Sequence, residues 1–209
     1  HHKVIVDMGL AAINLIGVII AIFVGISLVN KEIERRTIYT IMARPISRAS
    51  FIMGKYLGLA LTLFVNMAIM WAVFLLTLWL YHVSIQPSIF QAVALIFVEI
   101  LVVTAIALFF STFTSTTLSA IFTLGLYVIG HLTADLRAMV ANSDSGPIKS
   151  LVDLLYYLCP NLEMLNIKGQ AAVGVVAAPE YVMLASLYGV MYAGVLLISA
   201  CVVFQQRDF

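Results

Sequence analysis

Apolar residues fall in five long runs separated by polar breaks: 9–29, 56–81, 89–111, 115–133 and 181–204. A helix needs about 20 mainly apolar residues, at about 1.5 Å each, to cross ~30 Å of hydrocarbon. All five runs meet that length, and Glu99 is the sole acid or strong base within them. The second run is the longest and is expected to tilt or to project beyond the bilayer. Transmembrane β-strands would leave alternating segments of about ten residues, a pattern this chain lacks. The pattern predicts an all-α integral membrane protein with five transmembrane helices, forming a single transmembrane domain over residues 1–209.

The polar breaks set the orientation. Six of the eleven Lys and Arg residues lie between Lys31 and Lys55, which places that connection in the cytoplasm. Threading from there puts 82–88 and 134–180 outside, 112–114 inside and the C-terminus in the cytoplasm. Residues 31–54 have an apolar side formed by Ile33, Ile38, Ile41 and Met42. They predict a surface helix over Lys31–Ala43, supported by the Glu32–Arg36 pair four residues apart. Pro45 ends it. Ser47 is placed to cap a second helix that runs into the next span, making a rigid elbow. The alternative is a solvated loop whose basic residues only fix topology. Outside, Gly146-Pro147 starts a further helix. Ile148, Leu151, Val152, Leu155 and Leu158 share one of its faces, and Pro160 ends it. This helix is expected either in the outer interface or dipping into the bundle.

Composition narrows the class further. The chain is 63% hydrophobic and 10% charged, with a mean hydropathy of +1.10. A soluble domain runs at about 45–50% apolar and about 25% charged. A soluble globule, a disordered chain and a disulfide-rich secreted scaffold are therefore excluded. The net charge of +1 gives no reason to expect a nucleic-acid partner. Cys159 and Cys201 fall on opposite sides of the bilayer in this topology, so no disulfide is expected.

Candidate chemistry is sparse. Glu99 lies inside a span, where an ionisable residue is a functional candidate because burying it is costly. It is a candidate proton or cation site. The favoured alternative is a neutral carboxyl, or one hydrogen-bonded in the bundle to Ser, Thr or Asn66. With Asn66 and Glu99, Thr104, Ser119 and Thr123 are the few polar groups of the spans that could converge. His131 and His82 are read as boundary residues. Gly54-x-x-x-Gly58 and Ala185-x-x-x-Gly189 have the small-residue spacing of close helix contacts. No metal-ligand spacing, nucleophile elbow or phosphate-binding loop occurs: Gly54-Lys55 lacks both the upstream Gly and the following Ser/Thr. The chain is not expected to hydrolyse ATP.

The block from Asn30 to Gly58 carries a resemblance. It contains Glu34-Arg35-Arg36-Thr37, then Pro45-Ile46-Ser47-Arg48, then Gly54-Lys55-Tyr56-Leu57-Gly58. Ser111-Thr112-Phe113, Tyr157-Leu158-Cys159-Pro160-Asn161 and the terminal Phe204–Phe209 extend the match over nearly the whole chain. These residues resemble type 2 ABC transporter permeases. The resemblance implies six spans with both ends inside, so one further span is expected before residue 1. It implies a second permease subunit, as homodimer or heterodimer, and a separate cytosolic ABC ATPase subunit. This chain itself would bind no cofactor; ATP and Mg would sit on the ATPase. The elbow would dock on that partner through Glu32, Glu34, Arg35, Arg36 and Thr37, with Arg44 and Arg48 in support. Pro45, Ser47, Gly54 and Gly58 would form the hinge. The implied function is an exporter in the bacterial cytoplasmic (inner) membrane. Two other functions share the sequence: an ATPase-driven subunit that remodels or assembles the envelope, and a proton-coupled secondary transporter using Glu99.

Overall fold

The computed structural model describes residues 2–34, 48–140 and 146–205. Every element among them is helical. The long helices are α1 (His2–Glu34), α2 (Arg48–Leu80), α3 (Pro87–Ser111) and α4 (Thr116–Val140). Outside the span core follow α5 (Gly146–Leu158), a 3-10 turn (Leu162–Leu165) and α6 (Lys168–Val173), and α7 (Pro179–Gln205) closes the chain. Five of these helices are long and apolar enough to cross a membrane, matching the five runs. The chain is an all-α integral membrane protein.

The helices overrun the predicted spans. α1 starts at His2 and continues unbroken to Glu34, so Lys31–Glu34 extend the span helix instead of opening a separate surface helix. α2 is already helical at Arg48, the residue after the expected cap, and passes through Gly54 and Gly58 without a break. α4 runs on past Thr133 to Val140. Hydropathy marks where apolar residues stop, but a helix keeps its backbone bonded beyond that point, so polar residues at its ends stay helical. Residues 35–47 lie outside the described residues, and with them Arg35, Arg36, Thr37, Arg44, Pro45 and Ser47.

α3 is the centre of the bundle. It is apolar on all sides, as a helix surrounded by others must be, and its span is 61% buried against 22% for α2. α1 packs along it through a regular stripe: Leu10, Ile13, Asn14, Val18, Ala21 and Ile22 are all buried. Leu15, Ile16, Ile19 and Phe23 on the other side are exposed, where lipid would cover them. Lipid tails are as apolar as leucine, so close backbone approach and polar contacts must select the helix partners. A side chain at Gly17 would run into Ile100, and one at Gly9 into the Phe74 ring. A Cβ at Gly25 would lie 3.2 Å from that of Ala107. Gly189 admits α7 to α3 in the same way, with Val98 filling the space beside it, and Ala185 is buried one turn earlier. Gly54 and Gly58 differ: a Cβ at either meets nothing within 4 Å, so they make no close contact among the described residues.

The segment between α4 and α7 is more than a simple turn. α5 lies beside the C-terminal half of α4, where Arg137 reaches Asp153 at 3.2 Å and covers the Tyr156 ring at 4.2 Å. Both charged partners are about two-fifths exposed, so the ion pair itself adds little. The chain then turns inward. Cys159, Leu162, Leu165 and Ile167 are buried against the bundle, and burial pushes the Cys159 thiol above its usual range. The Pro160 carbonyl takes the room beside Gly130 of α4. Tyr188 of α7 accepts from the Asn161 amide at 2.9 Å, and Tyr181 donates to the Met164 carbonyl at 2.8 Å. Gln91 of α3 holds the segment before α7, donating to and accepting from Ala177 at 3.0 Å each way.

α6 ends at Gly174, whose φ of 84° lies in the left-handed region, with Val175 N–H closing on the Gln170 carbonyl. A Cβ there would also collide with the Gln86 side chain. Gly174→Ala is expected to destabilise the chain by about 1–2 kcal/mol through backbone strain, with the collision added. Thermal unfolding in detergent measures it; an unchanged midpoint would show that the turn is not tight.

Candidate functional site

A fully buried carboxyl lies where α1, α3 and α4 meet. Glu99 sits mid-way along α3 with no exposed surface. Asn14 of α1 is 2% exposed and donates from Nδ2 to both carboxylate oxygens, at 3.3 and 3.2 Å. His131 of α4 brings Nε2 to 3.4 Å from Glu99 Oε1. Its other nitrogen, Nδ1, is 3.2 Å from the Tyr127 carbonyl one turn earlier. A carbonyl only accepts, so that contact requires the hydrogen on Nδ1. The Tyr127 side chain lies against the imidazole, with ring centroids 4.7 Å apart. Among the described residues, Asn14 Oδ1 and His131 Nε2 are buried without a hydrogen-bond partner, and the nearest carboxylate oxygen stands 3.4 Å from Nε2.

The expected partners of Glu99 are corrected here. Asn66 does not reach it; its amide donates to the Thr62 carbonyl at 2.9 Å on its own helix. The span hydroxyls are likewise bonded locally: Thr104 to the Ile100 carbonyl at 2.7 Å and Thr123 to the Ser119 carbonyl at 2.7 Å. His131 is not merely a boundary residue, because it faces the carboxylate. Asn14 was not singled out from the sequence. Its signal was available, since a polar amide inside an apolar run needs a partner.

The expected coupling residues stand at the opposite end of α1 from its start. Glu32 and Glu34 belong to the last turn of α1, and Arg48 opens α2. The remaining ones, from Arg35 to Ser47, lie outside the described residues. The cavities are apolar. One of about 510 Å³ lies between α2 and α3, lined by Phe64, Met67, Trp71, Phe90 and Phe97, with Ser186 of α7 at its edge. A second, of about 300 Å³, lies between α2 and α7 over Tyr56, Leu101, Gly189 and Ala193. Among the described residues no cluster of His, Cys, Asp and Glu has the makings of a metal centre.

A comparison with curated proteins finds no match. The sequence model of the ABC-2 family transporter proteins matches residues 2–209, and it covers the long apolar helices, the basic connection and the segment between α4 and α7 alike. The chain belongs to the ABC-2 family of transporter proteins, as a membrane-embedded permease subunit.

Proposed function

We propose that this permease exports its cargo from the cytoplasm, driven by ATP that a separate cytosolic ATPase hydrolyses while docked on the connection between α1 and α2. The observation that carries this reading is the length of those two helices. Each has 33 residues, or about 50 Å at 1.5 Å per residue, against ~30 Å of hydrocarbon. α1 runs past its apolar run, which ends at Val29, to Glu34. Both helices thus reach the basic segment, and a displacement imposed there moves both. The excess of Lys and Arg between Lys31 and Lys55 supports a cytoplasmic location for that end. Glu32, Glu34, Arg35, Arg36 and Thr37 are the proposed ATPase contacts, with Arg44 and Arg48 beside them. Pro45 and Ser47 are the proposed joint, and Gly54 and Gly58 its continuation in α2. ATP and Mg belong to the partner. A second permease subunit completes the assembly. The apolar, aromatic lining of the cavities supports a lipid-like or amphipathic cargo over a sugar or an ion.

Reversing charge with Arg35→Glu and Arg36→Glu should leave the chain in the membrane but abolish its stimulation of the ATPase and its transport in proteoliposomes. Purification from native membranes in mild detergent should yield a stoichiometric ATPase with wild type and none with the double variant. An ATPase that stays bound and coupled to the variant would remove the docking assignment.

A further inference from the structure

We propose that Glu99 and His131, with Asn14 beside them, form an intramembrane proton-binding site, which holds one proton at neutral pH and through it ties α3 to α4, while the Asn14 amide holds α1 on the same carboxyl. The geometry of the imidazole is the starting point. Nδ1 carries a hydrogen for the Tyr127 carbonyl at 3.2 Å. A neutral ring then presents a bare lone pair at Nε2, 3.4 Å from Glu99 Oε1. A carboxylate facing that lone pair sets two acceptors against each other, in a place with no water-exposed surface on the carboxylate side. One proton resolves the conflict. It sits on Oε1 and is donated to Nε2, or it sits on Nε2 and is donated to Oε1. Both arrangements are neutral overall, which an enclosed site in hydrocarbon favours over a net charge.

The surroundings suit a proton better than a larger cation. The Asn14 amide directs its N–H groups at both carboxylate oxygens, occupying the side from which a metal ion or an ammonium would approach. The other titratable groups that face the cluster come from the outer segment and α4. Lys168 of α6 and Glu163 of the 3-10 turn bring opposite charges, and Tyr127 brings a phenol. Both Glu163 oxygens are held by the Asn166 amide at 3.1 Å.

The consequence is mechanical. α1 is one helix from His2 to Glu34, so the residue clamped at the proton site and the end that enters the cytoplasmic connection move as one rod. Losing the proton sets Glu99 and His131 against each other, so it loosens α4 from the carboxyl to which the Asn14 amide still ties α1. This site stands apart from the ATPase docking proposed above, and tests on it do not depend on that docking.

The test uses the full chain in lipid nanodiscs. His1, His2 and His82 are replaced so that His131 is the sole histidine, and its nitrogen NMR spectrum is read beside the infrared carboxyl region at neutral pH. The expected result is one of two pairs: a protonated carboxyl with a neutral ring, or a carboxylate with an imidazolium. A carboxylate beside a neutral ring would overturn the proposal, as would a stoichiometric metal in elemental analysis. Thermal unfolding adds a second reading. Raising the pH removes the shared proton, so the wild-type midpoint should fall by ~10 °C through the alkaline range. Glu99→Gln keeps a neutral donor toward Nε2 and cannot lose a proton, so its midpoint should stay level there. An alkaline fall that persists in Glu99→Gln counts against the site, and the two spectra decide the matter alone even if the variant does not fold.

Discussion

Gly17→Leu should separate α1 from α3 and lower the ratio of folded to unfolded chain by roughly 5- to 150-fold. Ile100 of α3 occupies the space a side chain at this position would need. Leucine is a good helix former, so α1 itself gains from the change, and the cost comes from contact between helices. Overfilling a packed interface costs about 1–3 kcal/mol, which sets the expected range. The damage spreads because Gly17 shares a helix face with Leu10, Asn14 and Ala21, all buried. Pushing α1 outward at Gly17 also draws the Asn14 amide, one turn away, off Glu99. Gly58→Leu is the control: it places the same side chain at a helix position with nothing within 4 Å. Reversible unfolding in mixed micelles compares the two. Equal effects would mean that the loss comes from glycine's backbone and not from the seam between α1 and α3.

How much of this was legible follows from what apolar sequences record. Hydropathy locates a span but not its neighbours, because in these runs residues facing lipid and residues facing protein are equally apolar. Leu10 is buried and Leu15 exposed, and nothing in their identity says so. Five spans and the basic elbow were therefore readable, while the order of packing around α3 was not. Glu99 was recognised because its charge is unusual in a span. Its partners were missed because Asn14 is 85 residues away along the chain and His131 was read by its position near a span end. Asn66 was the nearer guess, yet it bonds within α2. Ala185 and Gly189 were read correctly as small residues at a contact, but the same pattern at Gly54 and Gly58 faces open space. Small-residue spacing shows where helices could meet; the neighbouring large side chain, Val98 here, decides whether they do. The outer segment was readable as a helix closed by Pro160. Its return into the bundle rests on single contacts, such as Tyr188 with Asn161, that no periodicity reveals.

Asn14→Asp should be the most damaging single-atom exchange in the bundle, and acid should reverse it. The substitution keeps the shape of the side chain but replaces the group that donates to both Glu99 oxygens, at 3.2 and 3.3 Å, with a second acceptor. Two carboxyls at that separation cannot both ionise inside the bundle, so the new one must bring its own proton or leave an uncompensated buried charge. That charge costs about 3–5 kcal/mol. Asn14→Leu is the comparison, because it removes the hydrogen bonds and adds no charge. Hydrogen bonds between membrane helices are worth on average about 0.6 kcal/mol and at most about 1.7, so its loss should be the smaller one. The two variants differ in their response to pH. Lowering the pH protonates the added carboxyl and returns a donor toward Glu99, so the aspartate variant should recover most of its stability in acid. The leucine variant has nothing to protonate there and should follow wild type. Unfolding of both across the acidic range is the measurement, and parallel curves would mean that position 14 does not face the carboxyl of Glu99. Recovery in acid would establish that the contact is counted in protons: one for the cluster as it stands, and one more for each carboxyl added to it.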